Sequence, residues 1–170
     1  EGLGATNVVT DLHKHLAKLR RQPKQRLTAT YSYEFVHFDF LKFKDRDAYG
    51  YTAVLVMADR LTSHLTLNPA RSETALELGE LLLKNCFLKH GFPVACICDR
   101  GAAMLSGAFR YLLTKVGVQI KYTSSYAPRS NSHAELHWRL VIKVLRSLGA
   151  TNDDFSTHLH FVEFIFNSRI

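Results

Sequence analysis

Three acidic residues sit where an acid is out of place or usefully placed. Asp39 lies inside Phe38-Asp39-Phe40, flanked by apolar residues on both sides. A carboxylate there is costly to bury unless it is paired or binds a cation. Asp99 follows the apolar run Val94-Ala95-Cys96-Ile97-Cys98 and precedes Arg100-Gly101. In open α/β sheets, ligands bind at the carboxyl ends of the strands. Glu135 falls near the start of a helix-like segment, after the polar stretch 124–131. Each acid also has a plain structural reading. Asp39 could be a strand-edge acid held by a nearby Lys or Arg, Asp99 a turn aspartate, and Glu135 an acid favouring the positive end of a helix. Three convergent carboxylates are what hard divalent cations require. Two such ions about 4 Å apart can activate an attacking oxygen and stabilise a leaving one during in-line phosphoryl transfer.

The elements that would carry these acids follow from hydrophobic periodicity. Tyr33 to Phe43 alternates, with Phe35, His37, Asp39 and Leu41 on one face and Val36, Phe38 and Phe40 on the other, which predicts a strand. Further strands are expected over Tyr49 to Met57 and His64 to Leu67, making an antiparallel meander. Ser72 with Glu73 predicts an N-cap and an acidic first turn, opening a helix that Gly91 and Pro93 stop. Val94 to Cys98 reads as a buried strand, Phe109 to Val116 as a second helix and Val118 to Thr123 as a fifth strand. A polar loop over 124–131 then leads into helices over Ser132 to Leu148 and Asp154 to Asn167. The order β-β-β-α-β-α-β-α-α implies an α/β fold. Its expected form is a mixed five-stranded sheet, three strands antiparallel and then two parallel, flanked by helices.

Composition and charge narrow the function classes. The chain has 170 residues, 46% hydrophobic and 22% charged, an ordinary globular balance for one domain. No apolar run is long enough for a transmembrane helix. Glu1-Gly2-Leu3-Gly4 is not a basic stretch leading into an apolar one, so no signal peptide is expected. With no initiator Met, the chain reads as a fragment of something longer. Cys86, Cys96 and Cys98 do not have the spacing of a zinc knuckle and are expected in the core. Net charge is +7, and it is uneven: residues 1–30 and 121–148 each carry +4. Two basic blocks suit a polyanionic partner, although a solvated basic surface would look the same. Residues 1–30 read as a basic linker or arm holding a short basic helix that Pro23 ends, and 31–170 as the folded core. On the helix after the loop, Arg139, Lys143 and Arg146 follow Glu135 at offsets of 4, 8 and 11, one face where phosphates could dock. Leu136, Leu140, Val144 and Leu148 form an adjacent apolar stripe expected to pack. Lys121, Tyr126, Arg129 and Asn131, in or before the loop, are further candidates for holding a DNA end. His133 and His137 flank Glu135 but are not expected to bind Mg²⁺, which prefers oxygen.

Asp39, Asp99 and Glu135 have 59 and then 35 residues between them. This resembles the D,D(35)E signature of retroviral and LTR-retrotransposon integrase catalytic cores, with a gypsy-type flavour. The contexts agree. His37-Phe38-Asp39-Phe40 resembles the first-strand motif, and Val56-Met57-Ala58-Asp59-Arg60 the second strand. His90-Gly91-Phe92-Pro93 is similar to the segment before the fourth strand, and Cys98-Asp99-Arg100-Gly101 to the Ser-Asp-Arg-Gly motif. Tyr126-Ala127-Pro128-Arg129-Ser130-Asn131 looks like the active-site loop, and Phe166-Asn167-Ser168-Arg169 like the Asn-containing end of the core. The resemblance covers about residues 33–170. Ser132 stands where the family often has Gly, Trp138 where it usually has Asn, and Ala102-Ala103-Met104 replaces positions that are often polar or acidic, then Phe.

The resemblance implies an RNase H-like fold and a metal-dependent polynucleotidyl transferase. Asp39 would bridge two Mg²⁺ (or Mn²⁺) ions, Asp99 would hold one and Glu135 the other. The expected reactions are 3′-end processing of an element's DNA and strand transfer into target DNA. The expected partners are element ends, target DNA and a second copy of the chain, with no membrane. The expected place is nuclear or intracellular, within virus-like particles or outside them, and not secreted. Two other readings stay open: a domesticated or decayed integrase domain that only binds DNA or protein, and a different RNase H-like nuclease.

Overall fold

A computed structural model describes residues 28–123 and 128–168, with the side chains of 128–137 outside that description. Most of the expected arm, residues 1–27, therefore lies outside the described residues, as does Tyr126.

Five strands form one sheet: β1 (Phe35–Lys42), β2 (Ala53–Asp59), β3 (Leu65–Ala70), β4 (Ala95–Cys98) and β5 (Gln119–Tyr122). Their order across the sheet is β3-β2-β1-β4-β5. β1 pairs antiparallel with β2, and β2 with β3, while β4 runs parallel to both β1 and β5. This is the mixed sheet the element order implied. β2 is buried at every position because helices cover both of its faces.

On one face, Val36, Phe38, Phe40, Leu55 and Met57 pack against two helices. These are α1 (Ala75–Leu82), which supplies Leu78 and Leu82, and α3 (Gly107–Lys115), which supplies Phe109 and Leu113. Gly79 lets them approach closely, since a Cβ there would lie 3.2 Å from Leu112 Cδ2. α1 continues through a π-helical stretch, Leu83–Phe87, into a last turn, Leu88–His90. A short helix α2 (Ala102–Leu105), not foreseen from periodicity, precedes α3. On the opposite face, Leu41, Val54, Val56, Ala58, Leu65 and Leu67 pack against α4 (Pro128–Ser147) and α5 (Phe155–Asn167).

Several boundaries differ from those expected, for local reasons. The second strand begins at Ala53 rather than Tyr49, because Asp47 Oδ1 accepts from the backbone N–H of Tyr49 (3.0 Å) and Tyr51 (2.8 Å) and folds that stretch into a turn. The N-cap of α1 is Thr74, not Ser72: Thr74 Oγ1 accepts from Glu77 N. The Glu77 carboxylate reaches back to the N–H of Arg71 and Ser72, each at 2.7 Å, a reciprocal arrangement like a capping box. α4 starts at Pro128, four residues before the expected Ser132, with proline as its first residue, where the missing N–H is not needed.

The stripe of α4 that meets the sheet also differs. Val141 and Leu145 are buried, with Trp138, Ile142 and Val144 partly so, whereas Leu148 is exposed. Of the expected stripe, Val144 packs, Leu140 is half-buried and Leu148 is exposed, while the side chain of Leu136 lies outside the described residues. Two neighbouring stripes of this helix are apolar, and helical periodicity alone does not choose between them.

Two polar devices hold the sheet. Asn167 on α5 pairs with the edge strand β3 through both amide atoms: Leu65 N donates to Oδ1 and Nδ2 donates to Leu65 O, each at 2.8 Å. Leu67 N donates to Glu163 one helical turn earlier. These side chains occupy backbone groups that an edge strand would otherwise leave open. Asp59, only 2% exposed, ends β2 and accepts from Tyr33 N (2.8 Å), Thr62 N (3.0 Å), Thr62 Oγ1 (2.6 Å) and Leu61 N (3.4 Å). It ties the entry of β1 to the β2–β3 turn, both of which carry a left-handed residue, Tyr33 (φ 61) and Ser63 (φ 61). Burial pushes the Asp59 carboxyl up, but the hydrogen bonds from Thr62, Tyr33 and Leu61 outweigh it and hold the group below 3.8.

Asp59→Ala should cost about 2–4 kcal/mol, because it strands several buried donors at once. Urea denaturation at pH 7 measures this. The folded carboxyl titrates below the unfolded one, so its contribution is present above pH 3.8 and lost as pH falls further. The gap between wild type and variant should therefore narrow in acid, and a gap that widens there would contradict the assignment.

Candidate functional site

The parallel pairing of β1 with β4 positions two of the three acids. Its register is Phe35↔Ala95, Val36↔Cys96 and His37↔Ile97. Carried two residues further, the same register sets Asp39 beside Asp99, which follows β4 directly. Asp39 lies within β1 and Asp99 just past the carboxyl end of β4, and Asp39 shares the face that α4 and α5 cover.

Asp39 is half-buried, and its carboxyl is pushed up to about 7. Burial is the main cause. The neighbouring charge of Asp99 adds to it, a hydrogen bond from Phe40 N (2.8 Å) opposes it, and Glu73 adds a little more. Among the described residues no Lys or Arg forms an ion pair with Asp39; Lys42, three residues on, pairs with Glu73 at 2.9 Å. The described surroundings thus do not support the reading of Asp39 as an edge acid held by a basic residue.

Asp99 is exposed, and its Oδ1 accepts from Gly101 N at 2.8 Å. The Asp-x-Gly turn aims the carboxylate. A Cβ on Gly101 would lie 2.9 Å from Met104 Sδ and 3.1 Å from Asp99 Oδ1, so a side chain there would press on the group the turn holds. β5 braces the turn from the other side: Thr123 N donates to Cys98 O at 2.8 Å, and Tyr122 Oη donates to Met104 O at 2.9 Å.

Position 135 is helical, within α4, three residues before Trp138 and seven before Ile142. By helical periodicity it falls at the seam between the sheet-facing stripe and the basic row. The side chains of Glu135, Arg129 and Asn131 lie outside the described residues, so the structure neither brings Glu135 to the two aspartates nor separates it from them. Among the described residues no group of three His, Cys, Asp or Glu side chains is arranged to hold a metal ion. Asp39 and Asp99 nonetheless suit a hard cation, as adjacent oxygen donors of like charge, one of them pushed up by burial.

The basic candidates fall in two places. Arg139, Lys143 and Arg146 line an open groove of about 500 Å³ with Ile142 and Ser147. Lys121, on β5, stands over the Phe35 ring with Nζ 5.4 Å from its centroid. The sequence placed His37 and Arg60 in the strand motifs but gave neither a contact of its own. Their contact, Arg60 Nη1 to His37 Nε2 at 2.9 Å, joins positions 23 residues apart and leaves no local signal. The three cysteines are buried and free, as expected. Among the described residues no helix is long and apolar enough to cross a membrane.

No family model matches the sequence. A segment of the Gag-Pol polyprotein of Feline leukemia virus is 30% identical over 110 residues, which is 65% of this chain and 6% of that polyprotein. The Gag-Pol polyprotein of Koala retrovirus is 26% identical over 128 residues, 75% of this chain and 8% of that polyprotein. The chain therefore spans only a small part of the relatives it matches. A chain in the cryoEM structure of the simian T-cell lymphotropic virus intasome in complex with PP2A regulatory subunit B56 gamma superposes with a TM-score of 0.66 at 18% identity. That match covers 99% of this chain and 63% of the other. The catalytic core domain of BIV integrase superposes with a TM-score of 0.62 at 14% identity, covering 81% of this chain and 86% of that one. The relatives are retroviral Gag-Pol polyproteins in their integrase region, and the fold is the RNase H-like fold of integrase catalytic cores.

The Asp39 carboxyl yields a stability test. Its folded pKa, about 7, lies above the ordinary 3.8, so the folded state holds the proton more tightly. Native stability therefore falls as pH rises from about 4 to about 7. Asp39→Asn removes that penalty. Without divalent ions, the variant should be more stable than wild type by about 1–3 kcal/mol at pH 8, less than the shift alone would give because water screens a half-buried group. The two should converge near pH 4. Denaturant unfolding at both pH values checks this, and a variant less stable at pH 8 would overturn it.

Proposed function

We propose that residues 31–170 are the catalytic core of an integrase-type polynucleotidyl transferase acting on DNA, with residues 1–30 as a basic arm. The observation that carries this reading is the β1–β4 register, which brings Asp39 of β1 beside Asp99 at the carboxyl end of β4. Position 135 on the adjoining helix, the basic groove on that helix and the integrase relatives support it.

In this reading Asp39, Asp99 and Glu135 hold two Mg²⁺ or Mn²⁺ ions. Ions held there would supply activation of the attacking oxygen and stabilisation of the leaving one. The chain's own residues do the positioning. Asp39, half-buried, offers its carboxylate from a rigid central strand, and the Gly101 N–H fixes the Asp99 carboxylate. Arg139, Lys143 and Arg146 receive backbone phosphates along the groove, and Lys121, Tyr126, Arg129 and Asn131 hold the DNA end. Water first cleaves a phosphodiester near the 3′ end of the element. The freed 3′ hydroxyl then attacks a target phosphate and displaces one target oxygen, so one bond forms for each broken. Element ends, target DNA and a second copy of the chain are the partners. The site of action is where the DNA is, in the nucleus or within virus-like particles.

Thermal unfolding in Mn²⁺, together with a disintegration assay on branched DNA, tests the proposal. That assay asks for phosphoryl transfer by the core alone. Mn²⁺ should stabilise wild type but not Asp39→Asn or Asp99→Asn, and transfer should fall at least about 100-fold in each variant. Metal stabilisation without transfer would favour a decayed domain that only binds. Cleavage of an RNA–DNA hybrid would favour a different RNase H-like nuclease. A folded wild type indifferent to Mn²⁺ would overturn the shared metal site.

A further inference from the structure

Of the three candidate acids, only Asp99 has a basic neighbour in sequence, Arg100. The two side chains go to different places. Asp99 Oδ1 accepts from Gly101 N at 2.8 Å, which keeps the carboxylate within its own turn. The Arg100 guanidinium lies over the ring of Tyr122, with Cζ 5.8 Å from the ring centroid. A cation is attracted there by the negative face of the ring, and a planar guanidinium stacks well on it. Tyr122 is a firm support. It is the last residue of β5, sits in register with Cys98 and packs against the α1–α3 cluster. Its hydroxyl donates to Met104 O at 2.9 Å, so the ring is pinned at both ends.

Arg100 is exposed, and among the described residues it forms no ion pair. Nor does it offset the acids: the groups that shift the Asp39 carboxyl are Asp99, Phe40 N and Glu73, none of them basic. The sheet order sets β1, β4 and β5 side by side, with neighbouring strands about 5 Å apart. Across it the sequence of groups is Asp39 in β1, Asp99 just past β4, and Arg100 over Tyr122 of β5. Two acids suited to a cation are therefore followed, one strand further on, by a cation suited to an anion. That is the charge pattern of a phosphodiester chain in which one phosphate meets metal and its neighbour does not. The flank is also poor in competing anions. The 35 residues between Asp99 and Glu135 include no Asp or Glu and five Lys or Arg. β5 is the strand furthest from β2 and β3, which α4 and α5 cover, so this flank is distinct from the groove on α4.

We propose that Arg100, oriented by the Tyr122 ring, binds the backbone phosphate next to the reacting one, so that the DNA strand leaves the two aspartates over the end of β5. This deepens the reading of the chain as a polynucleotidyl transferase and rests on it. It makes Arg100 a phosphate-binding residue and Tyr122 a positioning residue. The strand that Arg100 holds belongs either to the element end or to the target.

The test is fluorescence anisotropy of the full 170-residue chain with labelled branched DNA, in Mg²⁺ over a salt series. Arg100→Ala should weaken binding about 3–10-fold and reduce the salt slope by about one, while keeping the stabilisation by Mn²⁺. Arg100→Lys should restore the slope but only part of the affinity, since an ammonium keeps the charge and loses the planar fork. Tyr122→Leu should weaken binding in wild type but not in the Arg100→Ala background, and Tyr122→Phe, which keeps the ring, should bind like wild type. Methylphosphonates placed singly along the DNA neutralise one phosphate at a time. The position that weakens wild type but not Arg100→Ala marks the phosphate held, and shows whether it lies in the element arm or the target arm. Wild-type affinity and slope in Arg100→Ala, or no such position in either arm, would overturn this inference while Mn²⁺ stabilisation left the transferase reading standing. A folded wild-type chain that does not bind DNA would overturn both.

Discussion

The alignment of β1 with β4 is the constraint on which the rest of the site depends. It places two carboxylates side by side where water is partly excluded, an arrangement that opposes folding. Coulomb repulsion and desolvation both push Asp39 toward its neutral form, and only a rigid framework keeps such groups together. The framework is apolar. Val36, Phe38 and Phe40, alternating with His37 and Asp39 along β1, are sunk into the α1–α3 layer. Strand alternation ties the two facts together: the residues that anchor β1 on one face oblige Asp39 to point at the other.

Polar clamps hold that framework at its ends. Asp59 fastens the entry of β1 to the β2–β3 turn, and Asn167 with Glu163 closes the outer edge of β3. Phe43, just past β1, stacks on Phe155 at 3.8 Å, and Ala48 N donates to Asp153 O at 2.8 Å, so the far end of β1 is tied to the start of α5. The central strand is thus fixed before and after the acid it carries. Asp99 is held differently, by a turn whose glycine supplies an N–H and leaves no Cβ to crowd the carboxylate. One acid is placed by a strand and the other by a loop, which matches their burial: Asp39 half-buried, Asp99 exposed.

Much of this was legible in the residues. Alternation over 33–43 marked β1 and the face of Asp39, because a strand has period two and one misassigned residue would have put a charge in the core. The element order implied the mixed sheet, since parallel strands need crossovers and antiparallel ones do not. What periodicity left open were choices between near-equal alternatives. α4 has two apolar stripes, and only the sheet decides that Val141 and Leu145, not Leu148, are buried. The turn at 47–51 depends on the buried Asp47, whose hydrogen bonds lie outside any hydrophobic pattern. Ser72 and Thr74 are both plausible caps, and Glu77 settles the matter by binding backbone upstream of Thr74. Asp59, His37 and Arg60 stood in the strand motifs, but their partners were not legible, because each is brought near only by sheet register.

α4 couples the parts of the site. One side of it, Trp138, Val141, Ile142 and Leu145, lies against the sheet, and the adjoining side carries the basic groove. Position 135 sits at the seam. A rotation of this helix therefore moves the groove and position 135 together relative to Asp39 and Asp99. Packing resists that rotation, because Val141 and Leu145 are buried against β1, β2 and β3 while Leu148 is left exposed. Trp138 opens the described part of this packed stripe, and its indole N–H finds no acceptor among the described residues. A buried donor in that state favours any arrangement that brings an acceptor to it. The spacing of 35 residues between Asp99 and Glu135 is thus more than a count along the chain. It is the length of α2, α3, β5 and the loop needed to bring α4 back to the strand that carries the first acid.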